Sequence, residues 1–170
     1  SDRPTSRKMK SLLLLVISLL SFSFVSFSQT NVTGVVVSVE SGDSFTLRVG
    51  KADIPIKLRM IEAPVEEQPF FEVARDHLSS FILGKPLTVS YSTYSGSRAY
   101  VGDIELSQRM LRDGAAWFLQ EGSRDAQSEE IFKANEAAAR TEERGIWAVH
   151  GLGRPSEMRK LAGSSSEPMA

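Results

Sequence analysis

The 170 residues include no cysteine, so neither a disulfide framework nor a thiolate metal site can hold this chain together. Histidine is almost as scarce: only His77 and His150 occur, and nothing in the sequence resembles a zinc site, a nucleotide phosphate loop or a serine, histidine and aspartate triad. Long apolar runs are also lacking. The single strong one, Leu12 to Leu20 after Lys8-Met9-Lys10, falls well short of the roughly 20 apolar residues a spanning helix needs. It reads instead as the core of a secretory signal peptide initiated at Met9, with the small residues of Ser26-Phe27-Ser28 placing cleavage before Gln29. Residues 1 to 28 are therefore expected to be upstream residues and signal peptide, and the mature protein to be exported, secreted or periplasmic, with no membrane span.

Excess positive charge is missing too. Without residues 1 to 28 the remaining 142 carry 16 basic and 20 acidic side chains, a net charge near −4. Proteins that live on nucleic acid usually show a basic stripe, because phosphate neutralisation and counterion release supply most of their non-specific affinity. Here the totals leave room only for local patches. The length suits one domain with a workable core, no internal repeat is visible, and a monomer is expected.

Two residue periods organise what remains. Val32 to Val39 is rich in β-branched residues, and Ser44 to Val49 alternates after a Ser41-Gly42-Asp43 turn, which predicts a hairpin. Ile54 to Ile61 alternates apolar with polar residues and predicts a third strand, with Pro55 marking an edge or strand start. Between Gln68 and Leu83 the period lengthens to three and four residues through Phe70, Ala74, His77, Leu78, Phe81 and Ile82, which predicts an amphipathic helix ended by Gly84. Leu87 to Tyr91 and Arg98 to Val101 supply two more strands, and Leu106 to Arg112 a short helix stopped by Gly114. A last helix is expected from Ser128 to Arg144, with Ile131, Ala134 and Ala138 facing inward and Trp117 and Trp147 as core anchors. From Gly151 on, through Gly163-Ser164-Ser165-Ser166, apolar content is too low to pack and a disordered tail is expected over residues 151 to 170. The expected class is α+β, mainly β: residues 29 to 150 form a five-stranded OB-fold Greek-key barrel capped by three helices.

Five pieces then occur in order with consistent spacing: Ser41-Gly42-Asp43-Ser44, Lys57 to Pro64, Gln68-Pro69-Phe70, Leu111 to Trp117, and Arg144-Gly145-Ile146-Trp147. Together they resemble the staphylococcal nuclease (thermonuclease-like) family from about Val35 to Trp147. The resemblance implies hydrolysis of phosphodiester bonds in DNA or RNA, with Ca2+ held by two aspartates and a backbone carbonyl, a carboxylate that activates water, and cationic donors on the phosphate. It implies Asp43 and Glu62 as metal ligands, although Glu62 replaces the family's aspartate and carries its carboxylate one methylene further out. It implies Lys57 at a phosphate-binding arginine, losing the planar fork, with Arg59 expected on the same strand face as a partial substitute.

Two positions depart further. Val65 stands where the family has the water-activating glutamate, and loss of a general base typically costs about 100- to 10,000-fold in rate. Glu66 is the nearest stand-in, with Glu67 beside it. Gly96 stands where the Tyr94 to Tyr100 segment should supply a second arginine, and Arg98 reaches the site only if the loop bulges; otherwise it is a surface arginine. Tyr94 is a candidate for stacking on a base or contacting a terminal phosphate, with turn packing as the alternative. The resemblance therefore leads to an exported nuclease-like domain with hydrolysis weakened or lost, keeping a groove for single-stranded DNA or RNA or another partner. An active calcium-dependent nuclease and a protein-binding module are the alternatives.

Overall fold

The computed structural model describes residues 30–93, 95–120 and 125–164; the signal-peptide reading and Tyr94 lie outside the described residues. The stretch rich in β-branched residues forms β1 (Thr30–Ser41), followed by β2 (Ser44–Val49) and β3 (Ala52–Lys57) in an antiparallel meander. β1 serves two neighbours: Thr30 to Val35 pair with β5 (Pro86–Tyr91), and Val35 to Ser41 pair with β2. Register shifts after Val36 and after Val39 bend it between the two tasks, as an extra residue in one strand of a ladder does. Pro55 sits in β3, which pairs only with β2 at one end of the strand order, where a missing N–H costs no central ladder bond.

β6 (Arg98–Val101) pairs with β5, and the sheet then closes on itself. Leu58 and Ser97 form a parallel bridge in which the Ser97 N–H donates to Lys57 O at 2.7 Å and the Arg59 N–H to Ser97 O at 3.2 Å. The five strands thus make the expected barrel, lined by Val36, Phe45, Leu47, Ile56, Leu58 and Val89, each at most 2 % exposed. Strand content differs from the expectation in two places. β7 (Ile104–Glu105) adds a short hairpin to β6, and the segment expected to run as one strand to Ile61 ends at Lys57 and turns through Arg59 and Met60, the latter left-handed at φ 58°. Beyond the break, β4 (Ile61–Glu62) pairs with β8 (Trp117–Phe118) in a separate two-stranded piece.

Three helices cover the barrel as the periodicity indicates: α1 (Phe71–Ile82) buries Ala74, Leu78 and Ile82, α2 (Leu106–Arg112) buries Leu106, Met110 and Leu111, and α3 is Ala126–Thr141. The inner face of α3 is not the expected one. Phe132, Glu136 and Ala139 are buried, whereas Ile131 is 41 % exposed and Ala134 and Ala138 face solvent. Glu136 explains the shift, since its carboxylate accepts the Phe118 N–H at 2.9 Å and satisfies a backbone donor of β8. Trp117 is a core residue as expected, but Trp147 is half-buried beneath the Arg140 guanidinium, 4.4 Å from its ring centroid.

Within the tail expected to be disordered, Pro155–Ser164 form a fourth helix, α4, and residues 165–170 lie outside the described residues. Proline at the first helical position is favoured because its missing N–H would be unsatisfied there anyway, and Arg154 anchors the start by donating to Phe118 O at 2.8 Å and Glu136 Oε1 at 3.1 Å. Before it, α2 and the 3-10 turn Gly145–Ala148 meet backbone to backbone. The Ile146 N–H donates to Gly114 O at 2.9 Å, and a Cβ on Gly145 would lie 2.1 Å from that oxygen, so only glycine permits the approach.

Candidate active site

The Ser41-Gly42-Asp43 turn closes the β1–β2 hairpin and delivers Asp43 into a buried position, 2 % exposed. Every oxygen it carries has a partner. Oδ1 accepts from Ser41 Oγ at 2.6 Å, Oδ2 accepts from the Ala63 N–H at 2.9 Å and lies 2.6 Å from Lys57 Nζ, and the backbone carbonyl accepts from the Leu58 N–H at 2.8 Å. The Ala63 bond ties this carboxylate to the backbone one residue past Glu62.

Glu62 lies in β4 opposite Trp117 and is 6 % exposed. Its Oε1 accepts from Arg159 Nη2 at 3.0 Å and its Oε2 from Ser156 Oγ at 2.7 Å, both donors belonging to α4. The adjoining loop is tied to the same helix. Gln68 Oε1 accepts from the Val65 N–H at 3.0 Å, while Gln68 Nε2 donates to Gly153 O at 2.8 Å and lies 3.0 Å from Met158 Sδ.

A calcium ion takes six to eight oxygen ligands, usually with several carboxylates. No group of three or more histidine, aspartate or glutamate side chains with metal-binding spacing occurs among the described residues. Asp43 and Glu62 are each neutralised by a cationic side chain of the chain itself. With α4 docked, these residues do not fit a calcium ion.

Lys57 and Arg59 do not share an environment, contrary to the expectation of one strand face. The Lys57 side chain is 60 % exposed and caps Asp43, whereas that of Arg59 is 7 % exposed, because the strand ends at Lys57 and the barrel closes over the next residues. Arg59 Nε and Nη2 bond Glu105 Oε1 and Oε2 at 2.6 and 2.8 Å, Nη2 also bonds Ser128 Oγ at 2.9 Å, and Nη1 lies 3.5 Å from Asp125 Oδ2. Burial works against its charge, but the hydrogen bonds and charge of Glu105, with help from Asp125 and Tyr100, outweigh it and hold the guanidinium above its ordinary pKa.

Arg98 joins that second network rather than Asp43, donating to Asp125 Oδ2 at 2.7 Å. Asp125 is also the cap of α3, accepting from the Ser128 N–H at 3.1 Å and Oγ at 2.6 Å; those bonds, more than the nearby arginines, lower its pKa. Gly96 has φ 70°, and a Cβ there would lie 2.6 Å from Arg59 Cα, so no arginine fits at this position while Arg59 holds its place. Val65 is 37 % exposed in a turn closed by the Gln68 N–H to Val65 O at 2.8 Å, and Glu66 and Glu67 beside it are exposed.

The sequence reading missed Glu105, Asp125, Ser156 and Arg159. Two signals were available: Asp125 three residues before Ser128 is a helix-start pattern, and Pro155-Ser156-Glu157 is another.

A family model described as staphylococcal nuclease homologue matches residues 48–149, more than half the chain. The chain belongs to that family. Among its relatives, an Escherichia coli O157:H7 protein named "Uncharacterized endonuclease" is 27% identical over 124 residues, which are 69% of this chain and 78% of that protein. A rice (Oryza sativa subsp. japonica) protein named "Probable staphylococcal-like nuclease CAN2" is 30% identical over 110 residues, 62% of this chain and 29% of that one. The nuclease-family match takes in Lys57, Glu62, Val65 and Arg98, begins after Asp43 and ends before α4. The helix that covers Glu62 is thus outside the matched segment.

Proposed function

We propose that this chain is an exported member of the staphylococcal nuclease family whose phosphodiester hydrolysis is weakened or lost, and which keeps a groove for single-stranded nucleic acid or another partner. The observation behind this reading is that each charged side chain implied for catalysis or metal binding, except Glu66, already has an internal counter-charge. Asp43 faces Lys57, Glu62 faces Arg159, Arg59 faces Glu105, and Arg98 faces Asp125. Only interactions that strengthen in the transition state accelerate a reaction, and groups committed to ground-state partners within the protein are poorly placed to provide them. The water-activating position is Val65. Glu66 is exposed and no hydrogen bond among the described residues fixes its carboxylate, whereas a general base must be held within reach of the water it deprotonates. Export is supported by the Leu12 to Leu20 run behind Lys8-Met9-Lys10.

The names of the relatives favour a second reading, an active calcium-dependent nuclease with Asp43 and Glu62 on the metal and Glu66 as base. One assay separates the two: single-stranded DNA and RNA are incubated with the native chain, Asp43→Ala and Val65→Glu, with calcium and with chelator. The weakened reading expects little or no chelator-sensitive cutting by the native chain and a gain of about 100-fold or more for Val65→Glu. Efficient chelator-sensitive cutting by the native chain that Asp43→Ala abolishes would establish the active reading instead.

A further inference from the structure

We propose that Arg159, carried by α4 outside the family-matched segment, is a phosphate-binding residue of the groove, taking the place of arginines that the barrel has committed elsewhere. The inference rests on the reading of the groove as a site for single-stranded nucleic acid, and it names a residue that would hold the strand. Arg59 has all three guanidinium nitrogens occupied, by Glu105, Ser128, Asp125 and the Met60 thioether, and its side chain is 7 % exposed. Turning it to a phosphate would strand Glu105 inside the protein. Arg98 is drawn to Asp125 in the same network, and Gly96 has no room for a side chain.

Arg159 is differently placed. Its side chain is 69 % exposed, and only Nη2 is engaged, donating to Glu62 Oε1 at 3.0 Å; Nε and Nη1 have no partner among the described residues. A guanidinium offers five N–H donors in a planar fork that matches a phosphate, so one bond to a carboxylate leaves an open edge. The anchor is firm, because Glu62 is buried and its Oε2 accepts from Ser156 Oγ at 2.7 Å. A long side chain held in this way is pre-organised and loses less freedom when a ligand binds. The pair is neutral in sum, but its negative end is buried and its positive end faces solvent, so an approaching anion meets the cation first.

Lys57 and Asp43 repeat the arrangement, with an ammonium side chain that is 60 % exposed on a carboxylate that is 3 % exposed. Asp43 Oδ2 also accepts the Ala63 N–H, and Glu62 precedes Ala63, so both outward-facing cations are anchored on consecutive residues of one segment. The chain entering α4 is tied as well to the Val65 turn, through Gln68 Nε2 and Gly153 O at 2.8 Å. Arg159 therefore stands on the stretch that the resemblance assigns to the scissile phosphate. Exposed Glu66 and Glu67 in the same turn repel an anion, which confines the contact to about two phosphates, one for each cation.

Fluorescence anisotropy tests the assignment with labelled oligo(dT), oligo(dA) and oligo(rU), in chelator so that nothing is cut. The native full chain is compared with Arg159→Gln, Arg159→Lys and Arg48→Gln, the last removing an exposed cation whose partner is Asp53. Arg159→Gln is expected to weaken binding about threefold or more on all three strands, since phosphate contacts carry no sequence information, and to reduce the log–log salt slope by ~0.7, the value of one phosphate on a single strand. Arg159→Lys should keep the slope and lose part of the affinity, because an ammonium retains the charge without the fork. Arg48→Gln should change neither.

Unchanged affinity and slope in Arg159→Gln would overturn the assignment, and so would tighter binding, which would mean that α4 shields the groove. An equal loss of slope in Arg159→Lys and Arg159→Gln would overturn it too, since the charge survives in the first. These results leave the weakened-nuclease reading standing. Absence of binding by the native chain overturns the assignment and also removes single-stranded nucleic acid from the proposed function, whereas efficient cutting in calcium would remove the weakened reading without bearing on comparisons made in chelator.

Discussion

Arg59 and Lys57 are two residues apart, yet their ion pairs belong to different energetic regimes. Arg59 and Glu105 are both almost completely buried, so Glu105→Ala leaves a buried guanidinium with only the more distant Asp125 as counter-charge and is expected to cost about 3 kcal/mol. Lys57→Ala removes an exposed partner from Asp43 and is expected to cost about 1 kcal/mol or less, which denaturant midpoints of the two variants would compare directly. Asp113 supplies a pH dependence at the same scale. Burial raises its pKa, but hydrogen bonds from Arg109 and His77 prevail and hold it below the ordinary carboxylate value. A group whose folded pKa is depressed contributes stability that is present above its unfolded pKa, about 3.9, and is lost as pH falls through the folded value. Stability against urea should therefore fall with acid in that window, and Asp113→Asn should flatten this part of the profile while lowering stability at neutral pH. These pairs were out of sight in the sequence for a physical reason: Arg59 and Glu105 are separated by 46 residues and Arg159 and Glu62 by 97, and charge alone does not say which carboxylate a long side chain reaches.

At the scale of elements, apolar period was a good guide wherever the buried face was apolar. The face of α1 was legible because Ala74, Leu78 and Ile82 lie at helical spacing, and the hairpin because Phe45 and Leu47 alternate with Thr46. It failed on α3, where a charged residue is part of the inner face and the apolar residues Ile131, Ala134 and Ala138 lie outside it. The structure makes a sharp distinction here. Phe132→Ala, which removes a ring packed in the core and beneath the Arg59 guanidinium at 5.2 Å, is expected to cost about 3–5 kcal/mol. Ile131→Glu should stay within about 0.5 kcal/mol of the native chain, and thermal melting of both variants checks the order; a reversed order would restore the face read from the sequence. α4 was missed because composition was weighed over the whole tail, whereas its helix start and the partners waiting on Glu62 and Gln68 are local.

For the molecule as a whole, family and barrel were legible because turns, glycines and core positions keep their order even where the chemistry has changed. The net charge near −4 of residues 29 to 170 and the internal pairing of Lys57, Arg59, Arg98 and Arg159 leave none of the cations implied for the site without a carboxylate partner to compete with phosphate. Affinity for a single-stranded oligonucleotide is expected to fall only gently with salt, with a log–log slope equivalent to about two phosphates or fewer at ~0.7 per phosphate. Fluorescence anisotropy across a salt series measures it, and a steep slope would reveal a basic track among other residues. The meeting of Gly114 and Gly145 has a different kind of consequence. It holds α2 to the 3-10 turn through an amide, a carbonyl and close backbone contact, beside the Arg144 guanidinium that donates to Arg112 O, and none of these groups is a carboxylate or an imidazole. Acid cannot protonate that joint and salt cannot screen it. Added salt will therefore weaken the solvent-facing fastenings made by Lys57 and Arg159 while this one holds, and the frame does not depend on them.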